Sequence, residues 1–173
     1  MDRHVVVLGT DHRIQGAQGL GVDKKIDHPT YVVLIEKLVK DFLVDYIFEE
    51  ASGLGPTAAS KLGSLTMGYL DVDPPGDERQ LYGIPMPQAP FFEDYVIYEI
   101  NDPNMPKPEP FATIKYLPTH LGREKVWVDR INEESFKHGL MICGAAHTFS
   151  VARRLEESGS SVEVIIYKPD LKK

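Results

Sequence analysis

The run Val5-Val-Val-Leu8 is apolar at every position and stops at Gly9. A strand with one wet face would alternate apolar and polar residues. An unbroken short run instead suits a strand covered on both faces, as in a parallel sheet. Leu140 to Cys143, closing on Gly144, repeats the pattern. Val44 to Phe48, ending in the acidic pair Glu49-Glu50, and Val162 to Tyr167 read as two further strands.

Helical spacing fills the intervals. Pro29 suits a first helical position, where a missing N–H costs nothing. Behind it Tyr31, Leu34, Ile35, Leu38, Val39 and Phe42 recur at helical spacing, which predicts an amphipathic helix to about Leu43. Ser52 to Pro56 reads as a turn, and Thr57 to Leu65 as a short helix. A longer helix is expected from an N-cap at Thr119 to Lys137, with Arg123, Trp127, Arg130 and Glu134 on one stripe and Gly139 ending it. His147 to Glu157 predicts a last helix, stopped by Gly159.

Ten of the 13 prolines lie between Pro74 and Pro118. That density excludes long helices and central strands over most of the segment. It reads as an irregular insertion, either a lid over a site or a cover for a sheet edge, with one strand-like stretch from Tyr95 to Ile100. Strands alternating with helices predict a single α/β domain over 1–173, with a mostly parallel central sheet and helices on both faces. In such sheets the ligand-binding edge is the one where the strands end.

A net charge of −7, with basic residues scattered among acids, argues against nucleic acid or an anionic membrane as the partner. The single cysteine, Cys143, excludes an intramolecular disulfide and suits a reducing compartment. Leu140, Met141 and Ile142 before it make a buried, inert thiol the expectation. No apolar run reaches the length of a signal peptide or a membrane span, so a soluble, cytoplasmic protein is expected.

Chemistry concentrates at two turns. Gly9-Thr-Asp-His12 follows the first strand, and Gly144-Ala-Ala-His147 follows Leu140 to Cys143. With 14 Gly and 6 His in 173 residues, chance gives about 0.5 such Gly-x-x-His matches. Each histidine alone could simply cap a helix or bond a loop carbonyl. Two at one edge, beside an acidic strand end, point to a site. Two neutral imidazoles and a carboxylate form a first shell for a divalent transition metal with open positions. Without metal, the same groups serve as general acid and base.

Glu49 and Glu50 are adjacent on a strand and must face opposite ways, so only one can enter a site. Asp11 could bind metal or cap its loop. Arg123 and Trp127 lie one turn apart, and Arg123 could hold a carboxylate or steady developing negative charge; the alternative is an arginine stacked on a half-buried tryptophan. Arg79, in the turn-like segment Asp73 to Arg79, is a weaker candidate for binding substrate. No Walker loop, dinucleotide fingerprint or Gly-x-Ser-x-Gly elbow is present.

The succession VVVLGTDH, YIFEEAS, REKVWVDRI and LMICGAAHTFSVARRLEESGSSVEVI resembles the TraB/GumN and ChaN/erythromycin-esterase-like superfamily. The similarity covers about residues 4–51 and 119–167, and leaves the proline-rich middle unmatched. It aligns Gly9 and His12, Glu49 or Glu50, Arg123 and Trp127, and Gly144 and His147 with the superfamily's motifs. Glu124 stands where the superfamily prefers Asn or Asp. The resemblance implies a hydrolase of small-molecule or peptide substrates, in some members metal-dependent. By that reading His12, His147 and Glu49 would hold the metal, and Glu49 or Glu50 would position water. Arg123 would steady the anionic intermediate and Glu124 and Trp127 would line the substrate, with Asp11 and Arg79 as further substrate-binding candidates from the residues alone. Other members handle iron or haem, and a non-catalytic ligand-binding or regulatory module is the alternative. The chain is small for the superfamily, which implies a reduced pocket or one completed by a second subunit in a homo-oligomer.

Overall fold

The computed structural model describes residues 3–10, 28–51, 56–66, 68–82, 117–145 and 147–167. Asp11, His12 and the expected strand from Tyr95 to Ile100 lie outside the described residues. The elements in chain order are β1 (His4–Thr10), α1 (His28–Asp41), β2 (Tyr46–Glu49), α2 (Ala58–Thr66), β3 (Tyr69–Asp71), α3 (Gly76–Leu81), α4 (Leu117–Glu133), β4 (His138–Gly144), α5 (Thr148–Glu157) and β5 (Ser161–Ile166).

The five strands form one sheet in the order β3-β2-β4-β1-β5, and every pairing is parallel. The α/β architecture and parallel sheet expected from the apolar runs are therefore present. Alternate strand residues feed two cores. Val5 and Val7 of β1, Phe48 of β2, and Met141 and Cys143 of β4 pack with Trp127, Ile131, Val151 and Leu155 of α4 and α5. Val6, Leu8, Ile47, Leu140 and Ile142 turn to the other face, against Tyr31, Ile35 and Leu38 of α1 and Ala58 and Ala59 of α2. Burial on both faces is why the central runs need no polar alternation.

Several boundaries differ from expectation. Helix α4 begins at Leu117, so Thr119 lies inside it and is not its N-cap. It stops at Glu133, which leaves Glu134 beyond the helix, and Gly139 belongs to β4 rather than to a helix stop. Strand β3 has three residues, too few to show a pattern. The turn expected around Arg79 is helix α3, started directly behind Pro74-Pro75. Prolines at a helix entrance fix φ without costing a hydrogen bond, so this pair begins a helix of six residues, short enough for the proline-rich segment.

The order of strands creates the site. Helix α1, which follows β1 in the chain, packs on one face and α5, which follows β4, on the other, although β1 and β4 are neighbours. Where neighbouring connections part to opposite faces, a crevice opens at the carboxyl ends of the strands. β4 ends there, between β2 and β1.

Candidate functional site at the carboxyl edge of the sheet

Register fixes the two acidic residues at the end of β2. The Glu50 amide donates to Ile142 O at 2.9 Å, and Val72 N donates to Glu49 O at 2.9 Å, so the ladder holds through both residues. Their side chains then diverge. Glu49 goes to the α1 and α2 face, where its Oε2 accepts from Thr57 Oγ1 at 2.5 Å and Tyr69 Oη at 2.9 Å. Glu50 goes to the α4 and α5 face. Its Oε2 accepts from the Gly144 amide at 2.9 Å, and its Oε1 accepts from Arg123 Nη2. Both carboxylates are buried.

His147 sits at the N-cap of α5, three residues beyond Gly144. Its imidazole is 3% exposed and caps nothing with its side chain. Nδ1 lies 2.8 Å from Glu124 Oε1, and Nε2 lies 3.9 Å from Glu50 Oε1. A carboxylate only accepts, so Nδ1 is the protonated nitrogen and a neutral ring presents Nε2 as its basic one. Ser150 Oγ donates to the same Glu124 oxygen at 2.6 Å, and Arg154 Nε stands 3.4 Å from the other. The edge of Trp127 closes on the imidazole, with ring centroids 4.9 Å apart at 70°.

Arg123 ties this group to the end of β3. Its Nε donates to Asp73 Oδ1 at 3.0 Å, and its guanidinium lies over the Trp127 ring at 5.0 Å. Trp127 Nε1 donates to the same Asp73 oxygen at 3.0 Å, while Arg79 Nη2 donates to Asp73 Oδ2 at 2.5 Å. Burial works against the Arg123 charge, but Glu50 and Asp73 together outweigh it and hold the guanidinium above its ordinary pKa. Arg79, Asp73, Arg123 and Glu50 thus form one run of alternating charges, which His147 joins to the pair Glu124 and Arg154.

The sequence candidates divide accordingly. Glu50, Arg123, Glu124, Trp127 and His147 converge, and Arg79 reaches them through Asp73. Glu49 turns to the opposite face from His147, so Glu50 is the acid of the pair that meets the imidazole. Arg123 directs Nε and Nη2 at Asp73 and Glu50, the arrangement of a strut between carboxylates rather than of a group aimed at a substrate. Asp73, Ser150 and Arg154 were not singled out. Asp71-Val72-Asp73 is acidic as Glu49-Glu50 is, but the three residues of β3 show no pattern that would mark it as a strand end.

Among the described residues no three His, Cys, Asp or Glu side chains are grouped to hold a metal ion. His147 and Glu50 present two donors, Glu50 is already held by Arg123 and the Gly144 amide, and Glu49 is on the far face. His12, the third member of the metal shell that the resemblance implies, lies outside the described residues. Among the described residues, no helix is long and apolar enough to cross a membrane. No family model, curated protein or solved structure matches the chain.

Proposed function

We propose that the protein is a hydrolase of small acyl or peptide substrates in which His147 is the general base. The observation that carries this reading is the line Glu124–His147–Glu50, with 2.8 Å on the Nδ1 side and 3.9 Å on the Nε2 side. Glu124 fixes the ring's tautomer and offsets the positive charge that forms when Nε2 takes a proton. Glu50, held by Arg123 and the Gly144 amide, orients the attacking water from the opposite side. Water oxygen then bonds to the acyl carbon while its proton passes to Nε2. The bond to the leaving group breaks, and that proton returns to the departing oxygen or nitrogen. The place of the line at the switch point of a parallel sheet supports the same reading.

The test is a panel of chromogenic esters, amides and short peptides, assayed with wild type, His147→Ala and Glu50→Gln, each with and without chelator. Hydrolysis lost in both variants supports the reading. Ligand-induced thermal stabilisation without turnover, surviving both changes, would instead mark a binding module. Elemental analysis of protein purified without chelator decides whether an ion belongs to the site.

A further inference from the structure

We infer that Asp73 is a positioning residue, which sets Glu50 opposite His147 by holding Arg123; this role rests on the hydrolase reading. Asp73 is 4% exposed and receives donors from two helices at once: Arg79 from α3, and Arg123 and Trp127 from α4. Its own backbone is fixed too, since its amide donates to Asp71 Oδ1 at 3.1 Å. Arg123 has one donor on Asp73 and another on Glu50, so its position is set from the Asp73 end. A buried guanidinium that loses one of two carboxylates re-centres on the remaining one. Glu50 Oε1 would follow it, and the 3.9 Å separation from His147 Nε2 would change. A neighbouring pair gives a control. Glu78 and Arg130 join the same two helices at 2.5 Å.

Asp73→Asn, Glu50→Gln, their double variant and Glu78→Gln separate positioning from simple bracing. Asp73→Asn is expected to lower kcat by about 10–100-fold at little-changed KM, as losses of outer-shell partners do. The double variant should be no slower than Glu50→Gln alone, because Asp73 acts through Glu50. Glu78→Gln should keep wild-type kcat. Multiplying losses in the double variant, or wild-type kcat in Asp73→Asn, would overturn the assignment.

A second readout needs neither turnover nor a folded Asp73 variant. Trp127 is the only tryptophan, so the protein gives a single indole N–H resonance. Glu50→Gln should shift that resonance through Arg123 and Asp73, and Glu78→Gln should leave it in place. An indole signal indifferent to Glu50 refutes the coupling even if the hydrolase reading stands. A shifted signal in a protein without hydrolytic activity keeps the coupling and removes the hydrolase reading.

Discussion

Glu49 and Glu50 are neighbours in the chain and occupy opposite faces of the sheet, one bonded to Thr57 and Tyr69, the other to Arg123 and Gly144 N. The period of two along a strand makes this unavoidable. Only Glu50 shares a face with His147. Glu50→Gln is therefore expected to lower kcat by about 10²-fold or more, within the range for a positioned acid–base group. Glu49→Gln should act chiefly on stability, because it leaves the hydroxyls of Thr57 and Tyr69 facing a weaker acceptor. Rates and melting temperatures of the two variants check this. Equal rate losses would put both acids in the chemistry.

The pairing of Glu124 with His147 gives a second expectation. Glu124→Gln keeps the shape of the side chain but removes the charge that offsets a protonated imidazole, and its amide group can turn a donor towards Nδ1. The wrong tautomer would then be favoured. A fall in kcat of about 10²–10⁴-fold with KM within a few-fold is expected, by analogy with other oriented imidazoles. A Glu124→Gln enzyme as fast as wild type would make the pair purely structural.

Much of this was legible in the sequence, for physical reasons that differ by element. The central strands announced themselves because Val5 to Leu8 and Leu140 to Cys143 are covered on both faces, so burial is written at every position. The three residues of β3 carry no such pattern and are recruited by pairing with β2. The Gly-x-x-His turn at His147 was visible as a strand end. Its partner Glu124 was legible as a candidate at the start of the late helix but not as the partner of His147, because their contact spans 23 residues and depends on how α4 packs against α5. Asp73 was missed for the same reason, since its donors lie 50 and 54 residues away along α4.

Asp71 supplies a pH-dependent prediction. Burial, only partly offset by the amides of Ala51 and Asp73, raises its pKa above the ordinary carboxyl value. A carboxyl whose pKa is higher in the folded state favours folding while protonated, and that contribution is lost as pH rises through the folded value. At neutral pH its ionised form is thus a cost, discounted because the group is only half-buried. Asp71→Asn keeps an oxygen acceptor for both amides. It should raise the melting temperature by about 2 °C near pH 7, and the advantage should vanish in acid. Thermal melts across that range decide it; a variant less stable at neutral pH would show that the charged acceptor matters more.

Cys143 should be silent towards alkylating reagents in the native protein. Burial, followed by the fields of Glu50 and Glu124, pushes its thiol pKa well above the ordinary value, so little thiolate forms. Iodoacetamide at pH 8 is expected to add no mass to folded protein and one adduct after denaturation. Rapid labelling of the native state would mean that β4 opens at its carboxyl end.

The glycine of the first Gly-x-x-His turn has its own physical explanation. Gly9 does not need a positive φ, which among the described glycines occurs at Gly159. It needs space: a Cβ there would run into Thr148 Oγ1 at the start of α5. The absence of a side chain lets the helix that carries His147 approach β1 closely. Gly9→Ala should therefore destabilise the protein by about 1–3 kcal/mol, the usual cost of overpacking a filled site. Thr148 Oγ1 is buried and has no hydrogen-bond partner among the described residues, so removing the hydroxyl opens much of the needed room without touching His147. The double variant Gly9→Ala, Thr148→Ala should recover much of the loss, a coupling that denaturant melts of the four proteins in the cycle would measure. Simple additivity of the two changes would mean that the glycine serves some purpose other than this close approach.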